Sequence, residues 1–250
     1  MRINLISKVN TSSSYYDEVD RASFRGITLK TLFLLFLTIA VGVMVALVTS
    51  PLIEDMENRG KLTAFFALLI VSAIVSLICG IAGRFDTRAS KYFAAIYALS
   101  EGIMLGFITR LVERFFPGVG FICIGATVLI FSVVLLMYVS GIVKASSVLF
   151  KIVITIFITT IVLSIFTLIM ALTTGITKEY LMISIIIEVL MLVYAVIILV
   201  FNFEEANSIV KSGCAKNSEW CVALGLEVTL VFIYVELLRL AMLIMEYSKR

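Results

Sequence analysis

Seven apolar stretches, at about 29–50, 62–83, 92–111, 119–141, 150–173, 180–202 and 222–245, divide the chain, and charged residues inside them are few. A helix rising about 1.5 Å per residue needs about 20 residues to cross about 30 Å of hydrocarbon, so each stretch is long enough to span a membrane. The runs are continuously apolar and lack the every-second-residue alternation of a membrane barrel, so helices are the expected form. The connectors, including Pro51 to Lys61, Arg84 to Lys91, Lys144 to Lys151 and Phe203 to Glu219, are short and polar. They leave no room for an independent soluble domain. The expected fold class is an all-α membrane protein of seven transmembrane helices.

Composition agrees with that reading and removes other classes. Hydrophobic residues make up 62% of the 250 positions and charged residues 15%, with a mean hydropathy of +1.15. No soluble surface can be built from such a mixture. The net charge of +3 is too small, and its basic residues too dispersed between the runs, for nucleic-acid binding. Residues 1–28 form a polar amino-terminal segment with no apolar core of the cleaved-leader kind, so it is expected to stay attached. Residues 29–246 form the transmembrane domain and 247–250 a short tail. Twelve Lys and Arg fall on the amino-terminal side of a seven-span arrangement and seven on the other, with Arg239 inside the last span. The positive-inside rule then places the amino terminus in the cytoplasm and the carboxyl terminus outside.

The chain has no histidine, which limits metal chemistry to carboxylate and cysteine ligands. Cys79 and Cys123 lie inside apolar runs as small hydrophobes, and the six residues between Cys214 and Cys221 are too many for a tight CxxC site. No cofactor is expected, and no metal can be assigned. Tyr92, Phe115, Phe116 and Trp220 sit near run ends, as interface anchors do.

Ionisable groups within the runs carry the functional information, since a charge at a helix centre costs about 2.5–3.5 kcal/mol on insertion scales. Glu101 lies in YALSEGIMLG, where Gly102 and Gly106 form a small-xxx-small pair that admits a second helix. It either fixes packing or takes part in ion movement. Glu236 and Arg239, three residues apart in FIYVELLRLAML, share a helix face and read as an ion pair or as a cation- or proton-binding carboxylate released from its arginine. Glu227, nine positions before Glu236, projects from the opposite face and is expected in a solvated, interfacial role near the start of its span. Glu188, about eight residues into the sixth run, is a candidate proton carrier. Asn202, Glu204 and Glu205 fall where the sixth run ends. They read as solvated charges or, if one faced Glu236, as part of a divalent-cation site.

Three segments, AIYALSEGIMLGFITR in the third run, LVFNFEEANSIV ending the sixth and SEWCVALGLEVTLVFIYVELLRL in the last, resemble the Bax inhibitor-1-like family of transmembrane Bax-inhibitor-motif proteins, particularly its bacterial branch. The resemblance covers about Thr28 to Arg239. It implies a seven-helix fold with the last helix central among the other six, in a bacterial cell membrane. It also implies, for some bacterial members, a pH-sensitive calcium leak. There, one acid ending the sixth helix and one in the seventh share a proton or bond and open a pore when ionisation changes. By motif the seventh-helix acid falls on Glu236 and the third-helix acid on Glu101. The sixth-helix aspartate falls on Asn202, which cannot titrate, leaving Glu204 as the nearest acidic substitute.

The function expected on these grounds is a pH-sensitive leak for calcium or protons, gated by acids of the sixth and seventh helices. Glu236, Glu204, Asn202, Glu101 and Arg239 are the leading candidates, with Glu188, Glu205 and Glu227 behind them. The alternative is a non-transporting protein that contacts a membrane partner and modulates stress or cell-death responses or a membrane protease. Catalysis is not expected. Without histidine there is no base for an intramembrane serine, no GxGD aspartyl motif occurs, and the last run has no lysine for a retinal Schiff base.

Overall fold

The computed structural model describes residues 21–54 and 59–249, and the side chains of these apart from 50–54, 59–65 and 174. Among the described residues seven helices follow one another: α1 (Phe24–Glu54), α2 (Arg59–Phe85), α3 (Ser90–Phe115), α4 (Val119–Val139), α5 (Ser147–Thr174), α6 (Lys178–Lys211) and α7 (Ser218–Lys249). All seven are long and apolar enough to cross a membrane. Among the described residues there is no strand beyond one isolated bridge between Arg21 and Ala215. The helices overrun the apolar runs because polar residues continue them past the hydrocarbon. Most of the expected amino-terminal segment, residues 1–20, lies outside the described residues, as do the side chains of Arg59 and Lys61.

Local chemistry sets the ends. Ser146 and Thr177 each accept the backbone N–H three residues on, from Leu149 and Tyr180 at 3.2 Å, and so cap α5 and α6. At the other end of α6, Gly213 takes the left-handed conformation, φ 65°, and the N–H groups of Gly213 and Cys214 close the last turn on Val210 and Ile209. The helix therefore runs nine residues beyond the apolar stretch, so Asn202, Glu204 and Glu205 stand inside α6 instead of at its end.

A helix that is buried on all sides marks the centre of a bundle. α7 packs against α1, α2, α3, α4 and α6. One apolar cluster on it includes Leu34, Tyr97, Leu105, Leu224 and Tyr234; a second, on its other flank, includes Phe131, Leu199, Phe203, Leu226 and Ile233. The last helix is thus central. The surrounding ring is uneven, however, since α5 packs chiefly on α6. Large apolar side chains elsewhere, such as Phe36, Leu47, Ile78, Phe121 and Leu172, point outward, as a lipid-facing surface requires.

The start of α7 is pinned to the start of α1. Glu219, 1% exposed, accepts the Ser23 N–H at 2.7 Å and pairs with the Lys30 ammonium at 2.7 Å, and Lys30 lies over the Trp220 ring. The Ala22 N–H meanwhile donates to Cys214 O at 2.8 Å, tying the same region to the α6–α7 connection. Glu219→Ala leaves the Ser23 N–H without its partner and the largely buried Lys30 ammonium with only Lys216 O and the Trp220 ring. We expect it to cost about 3 kcal/mol, read as a lower unfolding temperature in detergent, with Lys30→Met partly restoring it.

Candidate functional site

α1, α3, α5 and α7 leave the amino-terminal side of the bundle and α2, α4 and α6 return to it, which fixes the relative depth of every polar group. Among the described residues, the candidate acids fall into three polar clusters within the bundle.

The first joins α6 and α7 near that side. The Asn202 amide donates to Thr229 Oγ1 at 2.6 Å and to Gly225 O at 3.3 Å. Asn202 and Thr229 are both buried. Glu204 accepts from the Tyr138 hydroxyl at 3.0 Å, and Glu205 pairs with Arg84 at 2.7 Å. The residue opposite Asn202 is therefore Thr229, and this contact is a neutral hydrogen bond. The expected meeting of Glu236 with Asn202, Glu204 or Glu205 does not occur. Glu236 lies seven residues beyond Thr229, about two turns or 10 Å along α7.

Glu236 instead forms the second cluster, deeper toward the opposite side. It is 1% exposed and faces Glu188 of α6, which is 3% exposed. Arg239 reaches both, with Nη2 2.8 Å from Glu188 Oε1 and Nη1 3.7 Å from Glu236 Oε1. The arginine side chain is itself 54% exposed at the bundle surface. Two buried carboxylates from neighbouring helices thus share one guanidinium, and the second oxygen of each has no hydrogen-bond partner. The expected Glu236–Arg239 pair is present, but the shorter contact of the arginine is to Glu188.

The third cluster occupies the opposite face of α7, half a turn round as the nine-residue spacing requires. Glu227, expected at an interface, is wholly buried because α7 begins at Ser218 and places it nine residues in. Its Oε1 accepts from Thr38 Oγ1 of α1 at 2.8 Å. Glu101 of α3, also buried, faces the Ser76 hydroxyl of α2 and the Tyr97 hydroxyl one turn earlier, and lies within electrostatic reach of Glu227. Oε2 of each glutamate is buried without a hydrogen-bond partner. The small residues beside Glu101 hold α3 against α1. A Cβ built on Gly106 would overlap the backbone of Gly42, and one on Gly102 would press on Thr38 O at 2.8 Å.

Two cavities flank this third cluster and share no lining residue. A cleft of about 800 Å³ runs from Arg84 and Glu205, near the amino-terminal side, along Ser76 and Tyr97 to Glu101. A crevice of about 200 Å³ starts from Thr38 and passes Thr109 and Tyr234, whose hydroxyls are 2.5 Å apart, to Arg110 and Glu113 toward the other side. Thr38 is the link, since one hydroxyl both lines the crevice and bonds Glu227. Among the described residues, no group of three or more His, Cys, Asp or Glu could hold a metal ion.

Sequence reasoning missed Thr38, Ser76, Tyr97 and Thr229. Hydroxyls inside apolar runs pass as neutral packing residues, and only the interhelical register shows which acid each one faces.

The fold and these buried acids define a polytopic α-helical membrane protein with titratable groups inside the bundle. The model of the Bax inhibitor 1 like family matches residues 5–246, nearly the whole chain, and the chain belongs to that family. Comparison with curated proteins and with solved structures gives no match.

Proposed function

We propose that this protein is a pH-sensitive cation leak, for calcium or protons, whose gate is the Glu188–Glu236 pair held by Arg239. The observation carrying this reading is the shared guanidinium: Glu188 and Glu236 are both buried, come from the sixth and seventh helices, and have one cation between them. A carboxyl and a carboxylate can share a proton here and are balanced by Arg239. When both are ionised, one guanidinium faces two anions where little water can screen them, and repulsion drives α6 from α7. Because α7 touches five other helices, its displacement loosens the packing between the cleft and the crevice. The reading is of a non-enzymatic protein of the cell membrane with its amino terminus in the cytoplasm, consistent with family membership and with the distribution of basic residues.

In this account the motif position at Asn202 is a fixed fastener, since Asn and Thr do not titrate. The test is ion flux from dye-loaded liposomes containing the purified protein. Flux is expected to rise as pH is raised, and Glu236→Gln to hold it low at every pH, because a neutral amide cannot create the second anion. An unchanged pH response in Glu236→Gln and Glu188→Gln sinks the gate. Absence of any flux, together with co-purification of a specific membrane protein, would favour the interaction role instead.

A further inference from the structure

We propose that the cleft beside Glu101 is a binding site for an amphiphilic organic cation, an ammonium carried on a hydrocarbon body, that enters from the leaflet on the amino-terminal side.

The cleft encloses about 800 Å³ between α2, α3 and α7, and the Arg84–Glu205 ion pair ties α2 to α6 at its amino-terminal end. Small-molecule sites of about 300–1,000 Å³ combine apolar walls with a few placed polar groups, and this cleft has that make-up. Its polar groups stand at the deep end. Ser76 comes from α2, while Tyr97 and Glu101, one turn apart on α3, share a helix face. Glu101 is only 7% exposed, and its Oε2 has no hydrogen-bond partner. Arg84, the basic residue of the lining, is engaged with Glu205 at 2.7 Å and stands eight residues, about 12 Å, along α2 from Ser76. A buried carboxylate oxygen without a donor is costly, and an ammonium supplies both the hydrogen bond and the opposite charge.

The walls specify the rest of the ligand. Leu77, Ile81, Phe85, Met104 and Val228 line the cleft with hydrocarbon. Leu77, Ile81 and Phe85 recur at four-residue intervals along one stripe of α2 and are exposed at the bundle surface. The cleft therefore opens sideways into lipid. An inorganic cation would use the polar end and leave these walls unfilled. An ammonium on a hydrocarbon body uses both, and such a molecule concentrates in the leaflet from which the cleft opens. From Ala73 to Arg84 the α2 wall is about 16 Å long, room for an aryl ring on a four-carbon chain.

Binding is measured on the full-length protein in lipid nanodiscs with tritiated 4-phenylbutylammonium as the probe, empty discs giving the background. Saturable binding is expected, displaced by the unlabelled amine and at least tenfold less effectively by 4-phenylbutanol, which keeps the hydrocarbon and lacks the charge. Glu101→Gln should weaken binding at least tenfold. Ala73→Phe, which fills the apolar wall and keeps the carboxylate, should do the same. Gly125→Ala, on α4 and outside the cleft lining, should bind as the wild type does. Should Glu101→Gln fail to fold, Ala73→Phe carries the test, with elution volume as the check on folding. An aryl-azide analogue of the amine should place its adducts within residues 73–85 or 97–104, as read by mass spectrometry. Equal competition by alcohol and amine, or wild-type affinity in Glu101→Gln, overturns the ammonium site. Adducts confined to other segments overturn the cleft, and an absence of saturable binding overturns both. None of these readouts measures ion flux, so their outcome is separate from that of the leak.

Discussion

Gly106→Ala, the addition of a single methyl group, is expected to destabilise the bundle by about 2 kcal/mol net, whereas Gly125→Ala is expected to stabilise it by up to about 1 kcal/mol. Both glycines lie inside helices, so alanine gains the same intrinsic preference at each, about 1 kcal/mol. Their surroundings decide the sign. A Cβ at Gly125 has nothing within 4 Å, while one at Gly106 lands on the Gly42 backbone of α1. Backbone cannot swing aside as a long side chain does, so α1 and α3 must separate. Separation also pulls Thr38 from Glu227, since Thr38 stands one turn before Gly42. A loss of about 2 kcal/mol lowers the unfolding temperature of a chain this size by about 4–8 °C. Thermal scans of the two variants in one detergent check it, and equal shifts would refute the close contact. Gly106→Ala should also alter ion flux, which Gly125→Ala should leave untouched.

The fold was legible in the sequence to the extent that membrane physics leaves few choices. Apolar runs of this length must be helices, and their number and order follow directly. Run ends were less legible. Asn202, Glu204 and Glu205 looked terminal because hydropathy falls there, yet hydropathy locates hydrocarbon while capping locates the end of the helix, at Gly213. Glu227 was misread for the same reason at the other end of the connection, where Ser218 to Cys221 already belong to α7. The half-turn between Glu227 and Glu236 was sound, because spacing along one helix fixes angle. Partnership between helices was not accessible in that way. Whether Glu236 meets position 188 or 202 depends on how α6 slides against α7, a register determined by packing around Phe203, Leu199 and Leu230 and not by either run alone.

Arg239→Met should be the most disruptive change in the second cluster, costing about 3 kcal/mol, while the triple variant Glu188→Gln, Glu236→Gln, Arg239→Met should be far milder. The asymmetry comes from charge balance. Removing the guanidinium leaves Glu188, 2.8 Å from it in the native bundle, and Glu236, 3.7 Å away, buried against one another with no cation. Replacing all three removes every charge together, and two amides can hydrogen-bond across the α6–α7 contact. If Arg239 were only a surface charge reaching toward the interface, as its 54% exposure alone would suggest, the single change would cost little and the triple no less. The flux consequence has the same sign as that of Glu236→Gln. Without the guanidinium the second ionisation of the pair is disfavoured, so Arg239→Met should stay closed at pH values where the parent leaks, and the triple variant should stay closed at every pH. A single variant that unfolds no more easily than the triple, or that opens at the same pH as the parent, removes Arg239 from the gate.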